Sequence, residues 1–594
     1  MCGITGFTWE DKNLLRCMTD IIAYRGPDDH GYYTDSNISL GHRRLSIIDL
    51  SSAGHQPMSN EDGSIQIVFN GEIYNFRELK SLLEKKHQFR SDSDTEVLIH
   101  GYEEWGSEGL LKRINGMFAI ALWDSNNKLL FLARDRLGKK PLYYFTTKNN
   151  LVFSSELKSL LEYGEIKRVL DIDSVNSYLS YRFISSDRTM IKGVKKLLPA
   201  HYAIFQKGKL DIKRYWSIDW TINDNSEDYC IKTFSKLFKE CVEKRLFSDV
   251  PLGAFLSGGI DSSAVVAMNS KLRLDPIKTF TVGFNHKTDE LKYARIAAEH
   301  LHCDHHELIL DYKDMTKSLP DIIWYMDEPS TDITMVPLYF LSKFAKKKVT
   351  VVNSGEGADE LFSGYAHYKI GSGLFNVIPS HIKKSIYSWY YSPFKLKDRN
   401  MFFNNKPNED GSLKKYLAKD PPKHLLNKLL LFDIENELPN WQLARVDRMT
   451  MANAQEARAP FLDYRMVEFA AQLPTNLKMK NITGKYLIKK AVKGMIPDEI
   501  INRKKQGFTT PMHDWFKEDL LGIAEQVLSR ENMRQRKYVN YDYIEKLLEM
   551  EKHTKQQLPF KYTSFKLLVI LMFEMWQKIY LDNNSKVLKL NDFY

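Results

Sequence analysis

The polar stretch Ile218–Tyr229, IDWTINDNSEDY, separates two textures of chain, and this separation limits the possible folds more than any other feature. Ahead of it, short apolar runs alternate with Asn, Gly and Asp, as in GITGFTWED, GYYTDSNISLGHRRLSIIDL, SIQIVFNGEIYN, MFAIALWDSNNKLLFLARDRLG and PLYYFTTKNNLVFSSE. Period-two alternation broken by turn residues predicts antiparallel hairpins. Helical stretches at Asn75–Glu84 and Ser93–Trp105 make this a layered α+β domain. Behind the polar stretch, strand-like VPLGAFL, IKTFTVGF, HHELIL and VTVVNSG alternate with helix-like SSAVVAMNSKL, LKYARIAAEHL, VPLYFLSKFAKK and ADELF. Repeated βα units with apolar strands predict a mostly parallel sheet covered on both faces. From about Tyr365 the chain turns helical, aromatic and charged, and is expected to pack on that sheet and close its site. The expected limits are a front domain at 2–215, a linker at 216–228 and a second domain at 229–594, within the range that 594 residues allow.

The bulk numbers exclude more than they assign. Lys and Arg exceed Asp and Glu by 85 − 75 = 10, a mild excess that reads as a solvated basic surface and not as a nucleic-acid interface. Five cysteines, Cys2, Cys17, Cys230, Cys241 and Cys303, with no C-x-x-C, suit a reducing compartment, so a cytoplasmic protein is expected. No basic segment followed by an apolar run begins the sequence, so no signal peptide is expected. LLVILMFEMW falls well short of the ~20 apolar residues of a membrane span and reads as a buried helix.

Ligands of a parallel sheet bind at the C-terminal ends of its strands. Two loops fall there. In AFLSGGIDSSAVV, Ser257, Gly258 and Gly259 lead through Asp261, Ser262 and Ser263 into a helix. The glycines let backbone approach an anion, and successive N–H groups and the helix N-terminus attract it. Asp261 would repel phosphate unless a cation lay between them, which implies Mg²⁺. There is no Walker A sequence; S-G-G-x-D-S-S resembles the pyrophosphate loop of the N-type ATP pyrophosphatases. In VTVVNSGEGADELFSGY, Asp359 could give the metal a second carboxylate, and Glu356 stands where an acid/base could act. Carboxylates favoured by a helix N-terminus are the plainer reading of one of them. HLHCDHHE (His300–Glu307) has zinc-ligand residue types, but it straddles a helix end and a strand start and is read as the latter.

The chain opens MCGITGF. Removal of Met1 would leave Cys2 with a free α-amine beside its thiol. Alone this reads as accident. Together with RGPD (Arg25–Asp28), RLSIID (Arg44–Asp49), NGEIYN (Asn70–Asn75), SDTE (Ser93–Glu96), RDRLGKKPLYY, SGGIDSS, SGEGADELFSGY, DRMTMANAQEARAPFLD and RKKQGFTTP, in order over nearly the whole chain, it resembles the glutamine-hydrolysing asparagine synthetases.

That resemblance implies a four-layer α+β N-terminal-nucleophile hydrolase domain, followed by an α/β ATP pyrophosphatase domain with a helical C-terminal part. It implies Cys2 as nucleophile, with its own amine taking the thiol proton. Asn70 and the Gly71 N–H would hold the oxyanion, with Gly71 and Gly3 also clearing the substrate's path. Arg44, Leu45 and Ile47 would line the glutamine pocket, Arg44 as the fork for the α-carboxylate, and Glu72 and Asp94 would take the α-ammonium. ATP would lie on Ser257–Ser263, with Leu256, Val282, Ser354 and Gly355 along the adenosine, Asp261 and Asp359 on Mg²⁺, and Lys485 as a catalytic cation. Arg503 and Lys505 look like further anion contacts. Glutamine, ATP and aspartate are then the partners, with no nucleic acid and no membrane, and a homodimer is compatible. An ammonia tunnel is implied.

The acceptor region departs from the pattern. One branch of the family carries Thr-Thr-x-Arg, suited to an aspartate carboxylate; here the matching stretch is STDI (Ser330–Ile333), with Ile333 in place of the Arg. A carboxylate on a sugar or peptide precursor is therefore the alternative acceptor. A catalytically silent scaffold is the third reading, and the presence of Cys2, Arg44, Asn70, Asp94, Asp261 and Asp359 speaks against it.

Overall fold

The computed structural model describes residues 2–286, 289–372, 378–379, 382–383, 385–387, 392–405, 407–408, 411–504, 515–553 and 562–593. The front half contains the strands β1 (Gly3–Phe7), β2 (Asp29–Asp35), β3 (Ile38–Arg44), β4 (Met58–Ser59), β5 (Ile65–Ile73), β6 (Gly116–Asp124), β7 (Leu129–Arg134), β8 (Tyr143–Thr146), β9 (Leu151–Ser154), β10 (Lys195–Lys196), β11 (His201–Gln206) and β12 (Lys209–Arg214). They form two sheets, ordered β10-β8-β9-β1-β3-β2 and β12-β11-β7-β6-β5-β4. Ile4, Leu40, Val68, Ala121, Leu132 and Phe153 meet in an apolar layer between them, and the buried His42 ring bonds across it to the Phe69 carbonyl. Helix α1 (Lys12–Asp20) packs outside the first sheet, and α2 (Phe76–Leu83) and α3 (Glu96–Arg113) pack outside the second. Helix, sheet, sheet and helix are the expected four layers.

Helix α3 starts three residues later than its pattern predicts. Ser91, Ser93 and Thr95 satisfy one another through hydroxyl–backbone bonds, which hold Ser93–Thr95 as a turn. It then runs on past Trp105 through a kink at Gly106, where φ is 64°.

The second half has the parallel sheet. Its strands β13 (Leu252–Phe255), β14 (Lys278–Gly283), β15 (Asp304–Ile309), β16 (Val351–Asn353) and β17 (Glu456–Arg458) lie in the order β15-β14-β13-β16-β17. β17 is missing from the sequence reading: the chain leaves β16, builds helices for about a hundred residues, and returns for three. The apolar C-terminal stretch lies in the helix Tyr562–Gln577, with Leu567, Ile570, Leu571 and Trp576 fully buried. Among the described residues, no helix is long and apolar enough to cross a membrane.

The expected linker is packed. Trp220 is buried, the Asn223 N–H donates to the Gln472 carbonyl, and the helix Glu227–Glu243, capped by Ser226, already begins inside it. Across the joint the two halves share buried charges. Arg25 pairs with Glu156 at 2.7 Å and with Asp447 at 2.9 Å; Lys140 pairs with Asp447 at 3.1 Å. Arg448 reaches back to Glu156 at 2.7 Å. Each of these side chains is at most 3% exposed, so each charge depends on its partner for solvation.

Candidate active site

Cys2 lies just ahead of β1, buried in the glutaminase-like half. Its N–H donates to Asn70 Oδ1 at 3.1 Å, and its carbonyl accepts from Arg25 Nε at 3.0 Å. Burial pushes the thiol up; the positive N-terminus, the Leu45 N–H and Arg44 oppose this, and Asp94 adds to it. The sequence-predicted Cys2, Arg44, Leu45, Asn70 and Asp94 thus converge.

Asn70 carries the decisive detail. It is wholly buried on β5, its Oδ1 faces Cys2, and its Nδ2 has no hydrogen-bond partner. An orphaned buried donor costs about 1–3 kcal/mol and calls for an explanation. An oxyanion forming beside Cys2 supplies one. Asn70→Ala is expected to lower glutaminase kcat/KM by ~10²–10³-fold, the usual loss for one oxyanion donor. Glutamate release measured with and without an ammonia-driven control checks it, because the control should not change.

Packing gives the glycines a further reason. A Cβ on Gly71 would lie 2.0 Å from the Met117 carbonyl, and one on Gly3 would lie 2.8 Å from Ile22 Cδ1. Backbone and core packing by themselves already demand them. Arg44 is aimed by carbonyls: Nη1 donates to Ser51 at 3.0 Å, and Nη2 to Asp49 and Ile48. Among the described residues no carboxylate pairs with it, which suits a fork for an incoming one. Ile47 is buried, and its carbonyl accepts from Asp249 of the other half. Asp94 Oδ2 accepts from the Ile73 N–H at 2.7 Å. Glu72 faces Arg458 at 3.4 Å, and Arg458 also holds Glu456 at 2.6 Å. Burial, with Glu456 close by, raises both the Glu72 and the Asp94 carboxyl. Three carboxylates around one guanidinium leave room for a further cation, which an α-ammonium would be.

The second site is a cavity of about 760 Å³ at the C-terminal ends of β13, β14 and β16. Leu256, Ser257, Gly259, Asp261, Ser262, Val282, Ser354, Gly355, Glu356, Asp359, Lys485 and Arg503 line it. Gly258 and Ser263 do not. Gly258 shapes the loop with φ at 67°, and a Cβ there would meet the Tyr293 backbone at 2.4 Å. Ser263 points inward, fully buried, with an unpaired hydroxyl. The loop holds itself: Ser262 Oγ lies 3.1 Å from Ser257 Oγ and accepts from the Ser257 N–H at 3.2 Å. Arg503 closes over it, donating to the Gly258 carbonyl and pairing with Glu290 at 2.8 Å. Lys505 lies outside the described residues, as does Met1.

Lys485 bridges Asp261 and Asp359, its Nζ 2.5 Å from each. One ammonium already sits between two hard oxygen donors, so this pair fits a divalent cation of the Mg²⁺ kind. Glu356 is engaged by Arg445 at 3.1 Å. The sequence reading missed Arg445. It lines the cavity and also binds Asp332 at 2.8 Å and Thr334 Oγ1 at 2.7 Å, so a guanidinium stands beside the stretch where Ile333 replaced the expected one. No spacing rule links Arg445 to a segment some 110 residues earlier. The residues His300–Glu307 engage separate partners: His305 bonds Thr279, His306 pairs with Asp304, and Glu307 with Arg295. A smaller cavity lined by Met117, Lys140, Glu356, Val446 and Asp447 lies between the two sites.

A buried N-terminal-strand thiol facing an orphaned carboxamide, joined to a phosphate loop on a parallel sheet, defines a two-site enzyme: an amidotransferase half and a nucleotide-dependent half. The glutamine amidotransferase domain model matches residues 1–216, and the asparagine synthase model matches residues 233–578. The chain belongs to the asparagine synthase family. It is 35% identical to glutamine-hydrolyzing asparagine synthetase 1 of Bacillus subtilis over 98% of this chain and 97% of that one. It is 31% identical to synthetase 3 of the same organism, over 93% and 94%. It is also 29% identical to the amidase chyE of Penicillium rubens, over 94% and 95%.

Proposed function

We propose that this chain is a glutamine-dependent asparagine synthetase, with a glutaminase half at 2–215 and a synthetase half at 229–594 joined by 216–228, working in the cytoplasm. Cys2, its thiol proton taken by its own amine, attacks the glutamine side-chain amide. Asn70 Nδ2 and the Gly71 N–H hold the oxyanion while ammonia leaves, and water hydrolyses the thioester to glutamate. Arg44 orients the α-carboxylate, and Glu72 and Asp94 the α-ammonium. In the second site the acceptor carboxylate attacks the α-phosphate of ATP and pyrophosphate leaves; ammonia then displaces AMP from the acyl-adenylate. Asp261 and Asp359 would hold Mg²⁺, which would neutralise phosphate charge when bound. Lys485 opposes the charge building on the phosphates, and Arg503 screens the loop. The small cavity between Met117 and Glu356 supports an ammonia route.

Arg445 carries the choice of acceptor. The cavity lining includes Arg445 and Lys369 together with Glu356 and Glu360. This mixed-sign surface suits a zwitterion with two carboxylates, as aspartate is. Arg445→Ala is expected to raise the KM for aspartate at least ~10-fold and leave the glutaminase unchanged, since a charge-assisted bond contributes about 1.5–3 kcal/mol. The direct test supplies ATP, Mg²⁺, glutamine and aspartate and follows asparagine by chromatography. Glutamine-supported pyrophosphate release that needs a different carboxylate, on a sugar or peptide, would overturn aspartate as the acceptor.

A further inference from the structure

Behind the glutamine pocket, three segments bring metal-binding side chains together. Glu61 lies in the β4–β5 loop, His87 follows α2, and His100 and Glu103 stand one turn apart on α3. One atom from each lies within 4.8 Å of all the others. His100 Nδ1 is 2.9 Å from Glu103 Oε2 and 3.8 Å from Glu61 Oε2; His87 Nδ1 is 3.6 Å from both Glu61 Oε1 and Glu103 Oε2. Four ligands around zinc with bonds of about 2.0–2.1 Å stand roughly 3.3–3.4 Å apart, inside that spread.

The surroundings are those of a metal site. The far nitrogen of each ring faces a further carboxylate: His87 Nε2 lies 3.2 Å from Glu104, and His100 Nε2 lies 3.7 Å from Glu96. Such outer carboxylates turn the near nitrogen of an imidazole toward a metal. Asn60 Nδ2 fixes the other oxygen of Glu103 at 2.8 Å, and the Gln88 N–H donates to Glu61 at 3.2 Å. The two rings are stacked, with centroids 4.4 Å apart and an angle of 25° between them.

We propose that Glu61, His87, His100 and Glu103 form a structural Zn²⁺ site that clamps the Asp94 loop from behind. Four protein ligands leave no open position, which is the arrangement of a structural rather than a catalytic zinc. The clamp acts through Glu96: its carboxylate accepts from the Arg90 and Ser91 N–H groups and the Ser91 hydroxyl, and so shapes the turn carrying Asp94. Glu61, 36% exposed, gives the ion a way in from solvent.

The test uses the untagged full chain, stripped by chelator and titrated with Zn²⁺ alone. One equivalent per chain should bind and be retained against excess Mg²⁺, which competes for the Asp261–Asp359 pair, with X-ray absorption showing four N/O ligands at about 2.0–2.1 Å. His87→Gln and Glu61→Gln should each weaken binding more than ~100-fold, beyond the effect of losing an outer-shell partner. Asp261→Asn, in the other cavity, should leave it unchanged. Glu61 lies in a loop, so its variant leaves the helix α3 and its buried His100 untouched, and circular dichroism checks that. No stoichiometric Zn²⁺ in the parent chain, or equal retention by the two ligand variants, would overturn the proposal.

Discussion

Cys2→Ala is expected to lower glutamine-supported synthesis by at least ~10⁴-fold while ammonia-supported synthesis stays near the parent rate. The first half of this follows from the thiol's role: removing a covalent nucleophile leaves only what binding and the oxyanion donors contribute. The second half follows from geometry. Cys2 reaches Asn70, Leu45 and Arg25, and none of the residues lining the second cavity. Product formation with glutamine and with an ammonium salt, in parallel on the same preparation, gives both rates. Glutamine-supported product from the variant would end the assignment of Cys2. The same chemistry needs the Cys2 amine to be free, so a preparation whose intact mass retains Met1 is expected to show no glutaminase activity.

Lys485→Met should separate the halves from the other side. The side chain of Lys485 is 4% exposed and its ammonium is shared by Asp261 and Asp359. Methionine keeps the length and packing and removes the charge. Two effects are expected. Synthesis should fall by ~10²–10³-fold with either nitrogen source, the scale for a charge that stabilises a developing anion, while glutaminase activity persists. The two carboxylates would also lose their shared cation, so thermal stability should become strongly Mg²⁺-dependent: lower than the parent in chelator, and largely restored by Mg²⁺. Differential scanning with and without the ion reads the second effect. Synthesis within a few-fold of the parent would remove Lys485 from the mechanism.

How much of this was legible beforehand differs by scale. The main hairpins of the front half and the βα units behind Tyr229 show in their periodicity because strands such as β3, β5, β6 and β14 are long enough to repeat their pattern. β17 did not show: three residues, Glu456–Arg458, carry no period, and two of them are charged. They become a strand only because buried β16 offers them a ladder and because Glu456 and Arg458 pair with each other. The packing of the linker did not show for a related reason. Its Asn and Asp residues look solvated, yet Trp220 anchors it in the core. In the candidate sites, residues inside dense motifs come together as expected; neighbours contributed from outside those motifs do not show in the sequence. Arg445 meets Asp332 only through the tertiary fold. The two carboxylates that share Lys485 and the Met117 carbonyl that crowds Gly71 are neighbours that the local sequence does not name.

The buried pairs across the joint have a consequence for modularity. Arg25 touches the carbonyl of Cys2 with one nitrogen and Asp447 of the synthetase half with another. Asp463 of that half binds Asn115 of the front half, and Glu72 depends on Arg458. Cutting between the halves would strand Asp447, Glu156 and Arg458 beside water-excluding apolar surface, each missing a counter-charge. The two halves are therefore not exchangeable cassettes. A chimera that takes its front half from one relative and its back half from another should work only if Arg25, Lys140, Glu156, Asp447 and Arg448 travel as a set.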